Sequence, residues 1–358
     1  MTHEQPPAQT ETLDTSPTTD WSDDDYRADK KRGFFSRLYS GTGAFDIIGK
    51  RRQWYIVSGL ILLICILSMV FRGFTFGIDF EGGTQISLPN KAPLTTSSVE
   101  EVVTDALDIA PQQVQTAGTG AASTIQVRIE HLDQAQTVQV SEALADAFAP
   151  AIGVADVSSS DVSSTWGAEI TRKMVIALIV FLVIVFVYIA VRFDREMSVA
   201  SMASLFFDLV VTAGIYSLVG FEVTPAMVIG LLTILGFSVY DTVVVFDKVE
   251  ENTRGVLATR RRTYAEQTNL AVNQTFMRSI NTTVISVLPI IALMVIAVWM
   301  LGVGTLKDLA LVQLVGVMVG TFSSIYLASP LLVTLKERRK DISDHTRKVL
   351  ARRERSAA

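Results

Sequence analysis

The sequence predicts a polytopic α-helical membrane protein: six transmembrane helices, with a ferredoxin-like α+β extracytoplasmic domain between the first and second. Three observations carry this. Hydrophobic residues make up 49% of the 358 positions and mean hydropathy is positive, which is more apolar than soluble domains usually are. Six apolar runs reach the ~17–25 residues that a bilayer crossing needs. One long polar interval, between the first and second runs, alternates strand-like and helix-like patterns.

The elements follow in order. Residues 1–53 read as a disordered acidic tail, rich in Thr, Pro, Asp and Glu, and a basic cytoplasmic lead-in. The first span is expected over Tyr55–Phe71, in a segment bounded at 54–72. Its long charged lead-in and the following FRGFTFG lack a signal-peptide cleavage pattern, so it reads as an uncleaved anchor. Residues 73–171 form the outside domain. TQISL alternates like a strand. SSVEEVVTDALDIA reads as a helix capped by Ser97 or Ser98. QQVQTAG and STIQVRIEHL read as strands flanking the turn TGAA. DQAQTVQVSEALADAFA is a helix capped by Asp133, and GVADVSSSDV holds a last strand. The order βαββαβ is that of a split βαβ sandwich. Within 172–335 the remaining spans are expected over Met174–Val191, Ser198–Val219, Val223–Phe246, Thr282–Leu301 and Leu309–Leu335. Residues 336–358 form a basic cytoplasmic tail, whose cations either touch anionic lipid or anchor the topology.

Cations set the orientation. Lys50, Arg51 and Arg52 precede the first span. Arg192 and Arg195 separate the second and third, Lys248, Arg254, Arg260, Arg261 and Arg262 the fourth and fifth, and Lys336, Arg338, Arg339 and Lys340 follow the sixth. Positive charge gathers on the cytoplasmic side, which places both termini there.

Several classes of function are excluded. A net charge of −5 does not suggest nucleic acid. Cys65 is the single cysteine and cannot form an internal disulfide. His3, His131 and His345 lack metal-ligand spacing, so no metal and no cofactor are expected. GAFDIIGKR has one residue too many between its glycines for a phosphate loop, and Arg51 follows Lys50 where Ser or Thr is required. Work done by such a chain draws on a partner or on the membrane, where one charge crossing 100 mV is worth about 2.3 kcal/mol.

Chemistry concentrates on Asp241, in the fourth apolar run. A carboxylate at the centre of a spanning helix costs about 2.5–3.5 kcal/mol on insertion scales, so it reads as a protonatable group facing protein or water, with an interhelical hydrogen-bond anchor, about two turns from Asp247 and Lys248 and so near the cytoplasmic rim, as the alternative. Asp208, in the preceding run, is the second candidate, either a proton carrier or a hydrogen-bonding anchor. Arg278 is the candidate cation partner of Asp241, with a snorkelling topology residue as the alternative. Tyr240 and Thr242 flank the acid, and Asn273, Gln274 and Asn281 make the approach to the fifth span polar. In GIDFEGG, the residues Gly77, Asp79, Gly82 and Gly83 read as a tight turn before the first long strand. Small residues on the third, fourth and sixth helices (Ala200, Ser201, Ala203 and Ser204; Gly230 and Gly236; Gly316 and Gly320) allow close helix contact.

GIDFEGGT, GFSVYDTVVVFDKVEEN, VNQTFMRSINTT and GVMVGTFSSIYLASPLL together resemble the SecF family, the smaller subunits of the SecDF protein-export complex, from about Gly73 to Leu335. The resemblance implies a bundle of the resistance-nodulation-division type in the plasma membrane. It also implies pairing with SecD, work beside the SecYEG channel and often YajC, and use of proton flow to pull preproteins across the lipid bilayer, with no enzyme activity. Asp241 matches the family's protonatable acid and Arg278 its arginine. Asp208 matches an acid usually preceded by His, where this chain has Phe207; Tyr240 stands where Asn is common. The other readings weighed are a small-molecule or lipid exporter of the same superfamily and a scaffold without ion flux.

Overall fold

The structure is a computed structural model that describes residues 45–117, 123–259, 261–300 and 304–357. The expected disordered tail, apart from its last residues, and the turn TGAA lie outside the described residues.

Among the described residues six helices are long and apolar enough to span a membrane: Arg51–Phe71, Thr165–Arg192, Arg195–Val219, Pro225–Ala258, Tyr264–Ile296 and Leu306–Glu337. In chain order the elements are α1 (Arg51–Phe71), β1 (Thr75–Phe76), α2 (Ile78–Glu81), β2 (Gly83–Pro89), α3 (Thr96–Leu107), β3 (Gln113–Ala117), β4 (Thr124–Ile129), α4 (Gln134–Ala147) and β5 (Ser158–Val162). They continue with α5 (Ser164–Arg192), α6 (Arg195–Val219), β6 (Glu222–Val223), α7 (Pro225–Thr253), α8 (Tyr264–Ala292), α9 (Gly304–Ser323), α10 (Ser329–Glu337) and α11 (Lys340–Ala357). A π-helical stretch, Leu293–Met300, prolongs α8, and another, Ser324–Ala328, joins α9 to α10 so that the two form one span.

Strands β2 to β5 form an antiparallel sheet in the order β3-β4-β2-β5. With α3 after β2 and α4 after β4 this is the ferredoxin-like arrangement. Period-two alternation gives the sheet its sides. Ile86, Leu88, Ile125, Val127 and Ile129 are buried with Val99 and Val103 of α3 and Val140 and Leu144 of α4. Gln85, Gln113, Gln115 and Gln126 occupy the other face. Asp133 caps α4 as expected, accepting from the Gln136 backbone at 2.7 Å. The cap of α3 is Thr95, not Ser97 or Ser98. Its hydroxyl accepts from the Ser98 N–H, while the Ser98 hydroxyl accepts from the Thr95 N–H. The box works with Ser at the third position, a shorter side chain than the usual Glu or Gln.

In the bundle α6, α7 and α9 are the buried helices, whereas α1, α5 and the outer part of α8 present apolar faces outward. Helix α8 starts at Tyr264, far ahead of the expected span, because Thr263 and Glu266 make a capping box there. The GIDFEGG segment is a one-turn helix, α2, rather than a plain turn, and Gly82 ends it at φ +80°. Gly83 follows at φ +134°, and a Cβ there would lie 2.7 Å from the Ile129 carbonyl oxygen. Only glycine suits both conditions.

Candidate functional site

Helix α7 begins with a Thr224 cap that accepts from Met227 N–H at 3.2 Å, and with Pro225 at its first position. Asp241 lies about 24 Å along the axis from Pro225 and about 18 Å from Thr253, so it sits near mid-span. The side chain is buried, 4% exposed. Ser279 of α8 donates to one carboxylate oxygen at 2.7 Å, and the Ser324 hydroxyl donates to the other.

Glycines let Ser324 reach the acid. A Cβ on Gly230 would meet Val312 at 2.3 Å, one on Gly316 would meet Ile234 at 2.2 Å, and one on Gly320 would meet Ser238 at 3.0 Å. These contacts recur every four residues, so the backbones of α7 and α9 approach closely along one seam. Gly236, expected to share in such contacts, has nothing within 4 Å of its would-be Cβ, and Ala203 is exposed. Ser324 opens the π-helical stretch, and Ser329 donates to its carbonyl at 3.0 Å. A π turn inserts one residue into the helical register and often marks a functional position.

Asp208 of α6 is 1% exposed. Ser238, three residues before Asp241 on α7, donates to its Oδ2, and Oδ1 meets no donor among the described residues. The two acids therefore attach to adjacent turns of α7 without touching each other. Phe207 is buried and tilts against Phe322 at 6.4 Å between centroids, so an aromatic contact replaces any imidazole chemistry there.

The other expected residues divide. Arg278 forms no ion pair with Asp241; it is exposed and donates to the Tyr240 phenol at 3.4 Å. Tyr240 is exposed too, and Thr242 is buried beside the acid. Asn273 serves another purpose, accepting from the Phe45 N–H at 2.9 Å and donating to the Phe45 carbonyl at 2.8 Å. With Asn269, which accepts from Ile47 and Ile48, it pins the turn before α1 onto α8. Gln274 accepts from Asn252 at 2.9 Å, tying the end of α7 to α8. Asn281 is exposed. Gly77, Asp79, Gly82 and Gly83 lie beside the β1–β6 ladder, away from Asp241. Burial pushes the Asp79 carboxyl above the usual carboxylate range, and Arg128 partly offsets this. Ser238 and Ser324 are the site residues that sequence reasoning passed over, whereas Ser279 is one of the polar residues at the entry to the fifth span. Their one sequence signal is a hydroxyl within an apolar run, and serine satisfies its hydroxyl within a helix too readily for that to be specific.

A family model described as "Protein export membrane protein SecD/SecF, C-terminal" matches residues 141–338, more than half of the chain, and the "SecD/SecF GG Motif" model matches residues 67–89. Protein translocase subunit SecF of Mycobacterium tuberculosis is 60% identical over 325 residues, covering 89% of this chain and 73% of that protein. This chain belongs to the SecF family. SecF of Streptomyces coelicolor is 38% identical, with 90% and 85% of the two chains covered. The crystal structure of SecDF from Thermus thermophilus, titled a translocon-associated membrane protein, superposes with a TM-score of 0.70 at 30% identity. The match covers 82% of this chain and 39% of that one. As a SecF-family chain this is a multi-pass membrane subunit of the Sec protein translocase, a transport component and not an enzyme. The GG-motif match falls on the positive-φ pair Gly82 and Gly83, which gives that motif a conformational reason.

Proposed function

We propose that this SecF-family chain uses the proton-motive force to assist preprotein translocation, with Asp241 as the group that takes up and releases the proton. The observation that carries the reading is the environment of Asp241: a buried mid-span carboxylate held by two serine hydroxyls, with no ion-pair partner among the described residues. A hydroxyl donates to a carboxylate and, after rotating, accepts from a carboxylic acid. The pocket therefore suits both protonation states, and the π turn at Ser324 gives the neighbouring span a second register to relax into. Asp208 is the secondary proton candidate, sharing the same stretch of α7 through Ser238.

The chain is one half of a pair on this reading, and SecD is the other. Arg278 and Tyr240 face outward at the level of Asp241. A guanidinium exposed to lipid at that depth is costly, and a second bundle covering this face removes the cost. The fused SecDF relative, in which this chain matches 39% of the length, has room for such a half. SecYEG, YajC and the translocating preprotein are proposed as further partners. Both termini are assigned to the cytoplasm in the plasma membrane. The end that would face it carries Arg51 paired with Glu337 at 2.7 Å, Arg192 with Asp247 at 2.6 Å and Lys336 with Asp194 at 2.7 Å.

The experiment places Asp241→Asn in the assembled complex in vesicles and measures potential-dependent export beside complex yield. Lost export at normal yield is the expected result. Unchanged export sinks the proton role, and a fall that only follows yield supports a scaffold instead.

A further inference from the structure

The loop between α6 and α7 is joined to the sheet domain through one guanidinium. After α1, β1 runs parallel to β6, with Thr75 beside Glu222 and Phe76 beside Val223, and Gly77 N–H donates to the Val223 carbonyl at 2.8 Å. Arg128 of β4 reaches this ladder from the sheet. Its Nη1 lies 2.9 Å from a Glu222 carboxylate oxygen, and its Nη2 donates to the Phe76 carbonyl. A single side chain from the domain thus holds both strands of the ladder, one leading out of the first span and the other into the fourth. It is 6% exposed. Among the described residues no second ion pair joins the sheet to a loop of the bundle.

The sheet itself does not require this charge. The neighbours of Arg128 across the rungs are Gln113 and Gln85, and Gln115 and Gln126 continue the same face as neutral amides. Burying a cation among them costs free energy unless its partners are in place. The close partners lie on the ladder; in the domain Nη1 only donates to the Gln113 amide oxygen at 3.5 Å. Their geometry also calls for arginine: a planar fork reaches a carboxylate and a carbonyl in different directions, whereas one ammonium cannot hold the same two fixed lines. From β6 the chain passes through the Thr224 cap directly into α7, the helix of Asp241. Any axial or tilting movement of α7 is delivered through Val223, whose carbonyl holds the Gly77 N–H, to Glu222.

We propose that Arg128 is a positioning residue that transmits movement of the fourth span to the extracytoplasmic domain through Glu222 and the β1–β6 ladder. This rests on the export reading above. Asp79 and Lys307 also act on Glu222 electrostatically, so the pair sits in a small charged cluster at the outer end of the bundle.

The test uses the assembled complex in vesicles with Arg128→Gln, Arg128→Lys, and the exchange Arg128→Glu with Glu222→Arg. Arg128→Gln is expected to leave complex yield unchanged, to speed hydrogen exchange at the Gly77 amide, and to lower potential-dependent export by about fivefold, within the range that mutations along a coupling route produce. Arg128→Lys should recover only part of the loss, and the charge exchange more than Arg128→Gln. Export at the wild-type level in Arg128→Gln overturns the proposal. So does a loss that tracks complex yield and is not relieved by the exchange. Infrared titration of Asp241 in the Arg128→Gln protein separates this from the proton reading. Asp241 changing state while export falls supports transmission at Arg128. Asp241 never changing state overturns the proton reading, and the export and exchange results then decide the coupling by themselves.

Discussion

The Ser279 hydroxyl lies 2.7 Å from an Asp241 carboxylate oxygen, joining α8 to α7 inside the bundle. The opposite oxygen takes the Ser324 hydroxyl from the span formed by α9 and α10. Three spans therefore meet on one carboxylate, and a change in its charge alters hydrogen bonds to two neighbours at once. One turn further along α8 the pattern continues without an acid, as Thr283 and Thr321 share a 2.6 Å hydrogen bond.

Truncating either hydroxyl leaves a buried carboxylate oxygen short of a donor. Ser279→Ala and Ser324→Ala are each expected to cost about 1–3 kcal/mol, the penalty for an unsatisfied buried polar group. Denaturant unfolding in detergent measures this. The same variants should lower potential-dependent export while keeping Asp241 in place. Wild-type stability in both would mean that the hydroxyls do not hold the acid.

Arg278 should behave differently from an ion-pair partner. Its contact with Tyr240 is long and exposed, and a guanidinium at that depth is itself costly in the isolated chain, so Arg278→Ala should not destabilise this chain alone. Co-purification with SecD should fall instead, since the proposed partner bundle would lose a polar contact at its interface. Strong destabilisation of the isolated chain, with pairing intact, would contradict that assignment.

Spans, strand order and the burial of Asp241 were legible in the sequence because each rests on a local pattern: apolar length, period-two alternation, or a charge in an apolar run. The partners of Asp241 were not. Ser279 and Ser324 lie 38 and 83 residues further along the chain, and nothing in one sequence tells which face of a long apolar helix turns inward. Arg278 drew attention because attraction between opposite charges is strong, yet its neighbour Ser279 is the residue on the inward face. Asn273 and Gln274, which make the approach to the fifth span polar, bond the turn before α1 and the end of α7. The start of α8 at Tyr264 was readable in principle from the capping pair Thr263 and Glu266, which the apolar-run criterion ignores.

The seam between α7 and α9 gives a graded test of packing. Gly316→Ala places a methyl group 2.2 Å from an Ile234 methyl carbon, and Gly320→Ala places one 3.0 Å from the Ser238 Cβ. Overpacking of this kind costs about 1–3 kcal/mol, and Gly316→Ala should cost the more of the two. Gly236→Ala is the control. Its Cβ meets nothing within 4 Å, and replacing a helical glycine gains up to about 1 kcal/mol in propensity. Thermal unfolding of the three variants in one detergent should therefore rank Gly236→Ala highest and Gly316→Ala lowest. A loss in Gly236→Ala equal to the others would remove the seam as the explanation.

The outer charge cluster makes a prediction about pH. Burial is the main influence on Glu222 and pushes its carboxyl above the ordinary glutamate value of 4.5, Arg128 pulls it back, Asp79 pushes it up and Lys307 pulls it down. A carboxyl with a raised value binds more protons folded than unfolded between the ordinary and the raised value. Across that interval this group's contribution to stability falls as pH rises. Arg128→Gln removes the largest opposing attraction, so Glu222 should titrate at a still higher pH and the interval should extend upward. The carboxyl infrared band that disappears in Glu222→Gln reports the titration directly, and melting temperature against pH reports its consequence. A downward movement of the Glu222 titration in Arg128→Gln would show that the guanidinium does not stabilise the carboxylate, and the ion pair could then not be what binds the domain to the β1–β6 ladder.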